Sequence, residues 1–341
     1  MNPILTWEKI VLKLRNPFRV SYGVSETRQV FWLRLRGDEG WGEAAIPPYY
    51  GVSDESMIAC WQSAAGRTNP LPDEPEQVAA WVGADGPAPA RCALELALYD
   101  RIARRRGLPL WQLLGVPRPS SRPTSFTIAI DTPDSMARQA ADLVQFPVIK
   151  IKLGGDGDDD ARLRAIRTVR PDARLRVDAN AGWSVETARD YIRRMEAYDL
   201  EMIEQPLAKE AIAEMGALQA HTSIPIVADE SVQTISDVER LADAGVQGIN
   251  VKLMKTGGLT PALRMIRLAR ERGLRVMLGC MVETSLGVTA MAHLIGLGEW
   301  FDLDGPILIS NDPFAGLVYG DGAAMQLPDR SGIGVIEREV A

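Results

Sequence analysis

Cysteine, histidine and lysine are all scarce in this chain. Its 341 residues include three cysteines (Cys60, Cys92, Cys280) and two histidines (His221, His293). Of its 38 basic residues seven are lysines, which leaves 31 arginines. Three scattered thiols make neither a disulfide framework nor a zinc site, and both histidines fall in helical or loop stretches that read as structural. No run of 18 apolar residues occurs, and the opening MNPILTWEKIVLK lacks the apolar core of a secretory signal. A membrane partner is therefore not expected, and a cytoplasmic location is. A net charge of −7, a pI near 5.2 and the lack of a basic face argue against nucleic acid. With 46% apolar residues and a mean hydropathy of −0.07 the chain is an ordinary globular protein. Its length suits two domains, and a homo-oligomer is left open.

Four of the seven lysines fall in two short segments, Lys150/Lys152 and Lys252/Lys255. Arginine keeps its proton inside a protein, whereas a buried lysine can be tuned to release it. Lysines in an arginine-preferring chain thus point to proton transfer. Both segments belong to a series of strand-like runs: VIKIK (to Lys152), LRVDAN (Asp178), EMIEQP (Glu204), PIVADES (Asp229), INVKLMK (Lys252), RVMLGC (Cys280) and FDLDGP (Asp302, Asp304). They follow one another at steps of 26, 26, 25, 23, 28 and 22 residues. One strand, one helix and two loops need about that many. With TSFTIAI from Thr124 as first strand, the spacing predicts an α/β fold, a (β/α)7β TIM-type barrel. Such barrels gather their chemistry at the C-terminal ends of the strands. Helix starts are expected at Thr132-Pro133, Ser184 and Thr260-Pro261, and a helix stop at Gly273.

Ahead of the barrel, WEKIVLKL and QVFWLRLR read as antiparallel strands, with GDEG turning into WGEA. Residues 16–27 and 46–51 read as loops, and helical patterns cover about 53–66, 75–82 and 90–106, the last ending at Gly107. The expected organisation is an α+β N-terminal domain over 1–118, the catalytic barrel over 119–315, and a C-terminal segment over 316–341. That segment returns to the first domain, with GIGVIE offering a strand.

Numbered around the barrel, Asp178, Glu204 and Asp229 end strands three, four and five. Three adjacent carboxylates repel unless a cation lies between them, and all-oxygen ligands favour Mg²⁺, with Mn²⁺ also compatible. Lys152 ends strand two and Lys252 strand six, four places apart and so diametrically opposed. A substrate held at the metal would have an amine on each face, one taking a proton and the other returning one, which inverts a stereocentre. A metal-bound carboxylate would let its α-proton leave, giving an enediolate stabilised by the cation. Lys150 shares the inward face with Lys152 by the two-residue period of a strand; it is expected to contact the substrate and to add positive charge there. Asp302 and Asp304, opposite the metal, suit a substrate ammonium. A ligand with a carboxylate at one end and an ammonium at the other, longer than one amino acid, matches a dipeptide. Thr127 and Cys280 would line its pocket, Glu283 is placed to pair with a lysine, and Lys255 falls behind Lys252 or toward solvent. Gly257-Gly258 has the look of a phosphate-binding turn, without a supporting motif.

KIK at 150–152, DAN at 178–180, EQP at 204–206, ADES at 228–231 and NVKLMKTGG at 250–258 resemble the muconate-lactonizing subgroup of the enolase superfamily. FDLDGP at 301–306 is similar to the corresponding segment of its dipeptide epimerases, typified by L-Ala-D/L-Glu epimerase. The resemblance spans most of the chain. It implies Lys152 and Lys252 as the acid/base pair, Asp178, Glu204 and Asp229 as Mg²⁺ ligands, and Asp302 and Asp304 on the dipeptide's α-ammonium. It also implies a capping-domain loop, Phe18 to Ser25, closing over the substrate. Members acting on Ala-Glu can carry a basic residue late in that loop. Here Val24 and Ser25 stand there with only Arg19 near, which favours an apolar or cationic side chain over Glu. The expected activity is 1,1-proton transfer at the α-carbon of the C-terminal residue of an L,L/L,D dipeptide. Its rivals are L-Ala-D/L-Glu epimerase proper, N-acylamino acid racemase, o-succinylbenzoate synthase, muconate cycloisomerase and, from another class, a non-catalytic metal-binding scaffold. Substrates without a free ammonium leave Asp302 and Asp304 unused.

Overall fold

A long hairpin opens the chain. In the computed structural model, which describes residues 4–36, 38–45, 50–154 and 156–339, β1 (Leu5–Val20) pairs antiparallel with β2 (Gly23–Leu35), and β2 with β3 (Gly40–Ala45). The segment 16–27, expected as a loop, is instead the far end of this hairpin: pairing resumes after an irregularity between Lys13 and Phe18 and runs to Val20↔Gly23. Asn16-Pro17 hides the continuation, because proline weakens a strand pattern read from sequence alone. Most of the loop expected at 46–51 lies outside the described residues. Helices α1 (Asp54–Ala65), α2 (Pro75–Val82), α3 (Ala88–Arg106) and α4 (Leu110–Leu113) complete the cap. Gly107 ends α3 in the left-handed region at φ 66°. Gly40 and Gly42 let β3 lie against α3, since a Cβ at either would strike the backbone of Ala97 or Ala93.

The βα units follow in order: β4 (Phe126–Ile128), α5 (Pro133–Asp142), β5 (Val148–Lys152), α6 (Asp159–Val169), β6 (Arg174–Asp178), α7 (Val185–Met195), β7 (Leu200–Glu204), α8 (Ile212–Gln219), β8 (Ile226–Ala228), α9 (Ile235–Ala244), β9 (Gly248–Val251), α10 (Leu253–Thr256), α11 (Leu259–Glu271), β10 (Arg275–Gly279), α12 (Ser285–Ala292) and β11 (Trp300–Asp302). All eight strands are parallel neighbours in sequence order. The Ser125 N–H donates to the Phe301 carbonyl at 3.1 Å, which brings the two edge strands together and closes the ring. Alternation sorts the faces. Residues such as Ile149, Val177, Ile203 and Val251 point outward into the helical layer, while Met202, Val227, Met277 and Trp300 form a separate cluster inside the ring. Two residues beyond Met202, Val227 and Trp300 come Glu204, Asp229 and Asp302, charged groups of the mouth.

Two of the three expected helix starts hold: Thr132 accepts the Ser135 N–H and Ser184 the Thr187 N–H. The third is displaced. Gly258, at φ 128°, caps α11, because the Glu95 carboxylate from α3 accepts the Thr260 N–H at 2.9 Å and leaves no room for a Cβ at 258. Gly257-Gly258 is therefore a tight joint between cap and barrel and not a phosphate turn. His293 is structural as expected. Its Nδ1 accepts the Trp111 N–H and its Nε2 donates to the Ile333 carbonyl, both at 3.1 Å.

After α13 (Gly305–Leu308) come four two-residue strands, β12 (Phe314–Ala315), β13 (Val318–Tyr319), β14 (Met325–Gln326) and β15 (Ile336–Glu337). The strand within GIGVIE, β15, pairs with β12 and not with the capping sheet. The segment does reach the cap in other ways: Ile333, just before β15, donates its N–H to Asp100, and Phe314 of β12 packs edge-on against Trp32 at 4.9 Å. Among the described residues no helix is long and apolar enough to cross a membrane.

Candidate active site

The strand register delivers the site. Lys152 pairs with Asp178 and Asp178 with Glu204 across β5, β6 and β7, so three charged side chains stand abreast. Asp229 and Lys252 follow β8 and β9 by one residue, Cys280 follows β10, and Asp302 ends β11. Lys152, Lys252, Lys150, Asp229, Thr127, Cys280, Asp302 and Asp304 all line one cavity under the cap, closed above by Phe18, Val20 and Tyr22 from the hairpin. Asp178 and Glu204 lie fully buried beneath it. Lys152 and Lys252 stand four strands apart in a ring of eight.

Each acid holds an amine. Lys152 donates to Asp178 Oδ2 at 2.6 Å, Lys252 to Asp229 Oδ2 at 2.7 Å, and Lys255 to Asp229 Oδ1. Lys255 is thus buried behind Lys252 and does not face solvent. Lys150 lies among Asp178 (3.0 Å), Glu204 (2.7 Å) and Asp302 (2.7 Å). It was expected as a substrate contact, and the structure makes it first an ion-pair partner of three acids. Among the described residues no three acidic, histidine or cysteine side chains gather tightly enough to ligate one ion as they stand. The lysines occupy the space between the acids.

The charge balance nevertheless leaves room for a cation. Asp178, Glu204, Asp229, Glu230, Asp302 and Asp304 are six buried carboxylates, against four buried amines at 150, 152, 252 and 255. The excess of two negative charges equals one divalent ion. The carboxylates resist carrying that excess: burial and Asp178 push Glu204 up to about 7, and burial and Asp229 push Glu230 up to about 8. Glu204 Oε2, though 2.7 Å from Lys150, accepts no well-directed hydrogen bond, and Glu230 Oε2 and Asn180 Oδ1 also lack partners. Burial alone would lower Lys252, but Asp229 and Glu204 outweigh it and hold the amine charged. The same contest keeps Lys150 charged, against burial, through Asp302, Glu204 and Asp178.

The two aspartates of FDLDGP are not equivalent. Asp302 is satisfied by Lys150 and by the Ser125 hydroxyl at 2.6 Å. Asp304 is held by Thr127, whose N–H donates to it at 2.7 Å and whose side chain also bonds it, with no ion-pair partner among the described residues; burial together with Asp302 pushes it up to about 7. Cys280 donates its thiol to the Asp302 carbonyl, and burial raises it far above the usual thiol range, so it stays neutral. Glu283 does not pair with a lysine. It accepts the Met281 N–H and stands near Glu43, and burial pushes it up to about 8.

Several residues of the site escaped the sequence reading. Asn180 and Glu230 are bonded to each other at 3.1 Å, and Asn250 donates to Glu204 at 2.7 Å. The two-residue period could have found Asn180 (two beyond Asp178) and Asn250 (two before Lys252). Tyr22 and Arg28 reach the cavity from the hairpin, and no local signal in the sequence announces that; the basic hairpin residue of this cavity is thus Arg28 and not Arg19, which lies outside it, because the strand pairing carries β2 over the barrel mouth.

The model of the mandelate racemase/muconate lactonizing enzyme N-terminal domain matches residues 6–115, and that of the enolase C-terminal domain-like family matches residues 135–339. The chain belongs to the enolase superfamily. Within it, the chain is 36% identical to L-Ala-D/L-Glu epimerase of Bacteroides thetaiotaomicron, over 98% of this chain and 88% of that one. It is 34% identical to a hydrophobic dipeptide epimerase of Roseobacter litoralis, over 94% and 95%. The dipeptide epimerase of Cytophaga hutchinsonii, solved with Mg and D-Ala-L-Val, superposes with a TM-score of 0.91 at 30% identity, over 98% of this chain and 95% of that one. As a superfamily member the chain has the expected barrel with its capping domain.

Proposed function

We propose that this protein is a Mg²⁺-dependent dipeptide epimerase, an isomerase that moves the α-proton of the C-terminal residue between the two faces of that carbon. One observation carries the reading: Lys152 and Lys252 line a single cavity from strands on opposite sides of the ring, with three acids on the strands between. An amine on either side of a carbon can remove a proton from one face and supply one to the other. With one isomer Lys152 accepts and Lys252 donates, and with the other the roles exchange.

Asp178, Glu204 and Asp229 would hold the ion through oxygen alone, the ligand type Mg²⁺ takes. When bound, the ion supplies positive charge against the negative charge that grows on the substrate carboxylate as the proton leaves. Lys150, charged and fully buried, adds to that field from beside Glu204. Asp304, which unlike Asp302 has no lysine partner among the described residues, takes the substrate ammonium just beyond the end of β11, and Asp302 anchors Lys150. The hairpin residues Phe18 and Val20 exclude water and offer the C-terminal side chain an apolar wall. Cys280 stays neutral and serves as lining. Three free thiols, two of them buried, suit a reducing compartment, and we place the protein in the cytoplasm.

Chiral chromatography of L,L dipeptides incubated with enzyme and Mg²⁺ tests the reading. Conversion to the epimer at the second residue is the expected result. If every dipeptide keeps its configuration, the reading is wrong.

A further inference from the structure

We propose that a second cavity, between the first strand of the cap and the loop after β4, receives the side chain of the substrate's N-terminal residue, so that dipeptides beginning with a long neutral residue are preferred. The inference rests on the dipeptide reading above.

The two cavities share Phe18, Thr127 and Leu308. The first holds the lysines and acids. The second, of about 440 Å³, has walls of Phe126, Ala129 and Ile130 and contains none of those lysines and acids. Thr127 is the joint, because its N–H donates to Asp304 Oδ2 at 2.7 Å and its side of the strand faces both spaces. In a dipeptide the ammonium and the first side chain leave the same carbon. An ammonium on Asp304 therefore puts that carbon at the junction, with the second cavity open to its side chain. The C-terminal side chain starts elsewhere, at the carbon held between Lys152 and Lys252.

Size and charge then define the preferred residue. An alanine methyl leaves such a space unfilled and forgoes the contacts its apolar wall offers. Arg15 and Arg19 from β1 and Asp131 from the β4 loop also line the cavity. Asp131 already accepts the Thr132 N–H and the Ser135 hydroxyl, at 2.8 and 2.6 Å. Two guanidiniums against one engaged carboxylate leave the space mildly positive, which disfavours lysine or arginine in the first position. Leucine, methionine and glutamine fit.

The test compares kcat/KM for Ala-, Leu- and Gln-first dipeptides with a common second residue, on the wild type and on Ala129→Phe, whose ring would occupy the space. The wild type should favour the Leu- and Gln-first substrates, and their advantage over Ala-first should fall about tenfold or more in the variant, the scale of a lost apolar pocket. Gln139→Trp, which fills the cavity from α5, repeats the test if Ala129→Phe does not fold. Equal kcat/KM for Ala- and Leu-first substrates in the wild type overturns the inference and leaves the epimerase reading standing. So does an advantage that neither replacement changes, or faster turnover of tripeptides than of any dipeptide. No epimerisation of any dipeptide overturns both.

Discussion

Asn250 donates its side-chain amide to Glu204 Oε1 at 2.7 Å, from a strand two places round the ring. The bond fixes which way the carboxylate faces, and leaves Oε2 toward Lys150. Asn250 is a positioning residue, since it acts on the ion through Glu204. Asn250→Ala should weaken Mg²⁺ binding roughly 10- to 100-fold, as loss of a partner to a metal ligand commonly does. Calorimetric titration of Mg²⁺ reads this directly. An unchanged affinity would remove Glu204 from the proposed ligand set or Asn250 from its support.

The unequal surroundings of Asp302 and Asp304 separate their roles. Asp304→Asn removes the charge offered to the ammonium and should raise KM for a free dipeptide roughly tenfold or more, with a smaller change in kcat. Asp302→Asn removes one of the three acids that hold Lys150 and should lower kcat instead. Steady-state kinetics on both variants distinguishes them, and identical effects would contradict the assignment.

Burial pushes His293 down to about 4, from an ordinary value of 6.5. Between those values the unfolded chain binds the extra proton, so stability rises with pH there. It is lost as pH falls from about 6.5 toward 4, by up to about 3 kcal/mol. Urea unfolding of the wild type and of His293→Gln across that range should show a steep acid limb only in the wild type.

Glu283 has the opposite sign. Burial raises it from 4.5 to about 8, so the folded chain binds more protons between those values and stability falls as pH rises through them. Glu283→Gln keeps the acceptor for the Met281 N–H and cannot ionise. Its Tm should exceed that of the wild type increasingly from pH 5 to pH 9, by an amount equivalent to more than about 1 kcal/mol at the alkaline end. Parallel curves for the two proteins would contradict a buried neutral carboxyl.

The barrel could be read from the sequence because its signal is local and repeated. VIKIK, LRVD and EMIE each carry an apolar strand that stops on a charged residue, and the spacing admits only one kind of unit. The opposition of Lys152 and Lys252 then follows from counting strands. What could not be read depends on contacts between distant segments. Asn16-Pro17 suggested a loop where β1 and β2 in fact keep pairing to Val20. Tyr22 and Arg28 belong to the site only because that hairpin folds over the mouth of the barrel. Counting inward positions showed Lys150 and Asp302 sharing an interior, but not that 2.7 Å separates them and that each satisfies the other.

The most direct test of two opposed amines is isomer-resolved deuterium uptake in D₂O. An L,L dipeptide and its L,D epimer are each incubated with Mg²⁺ and the wild type, Lys152→Ala or Lys252→Ala, and the α-position is followed by mass spectrometry. The wild type should label both isomers. Each variant should lose labelling of one isomer far more than of the other, and the two variants should lose opposite isomers. Loss of the same isomer in both, or undiminished labelling in either, would contradict proton transfer from opposite faces.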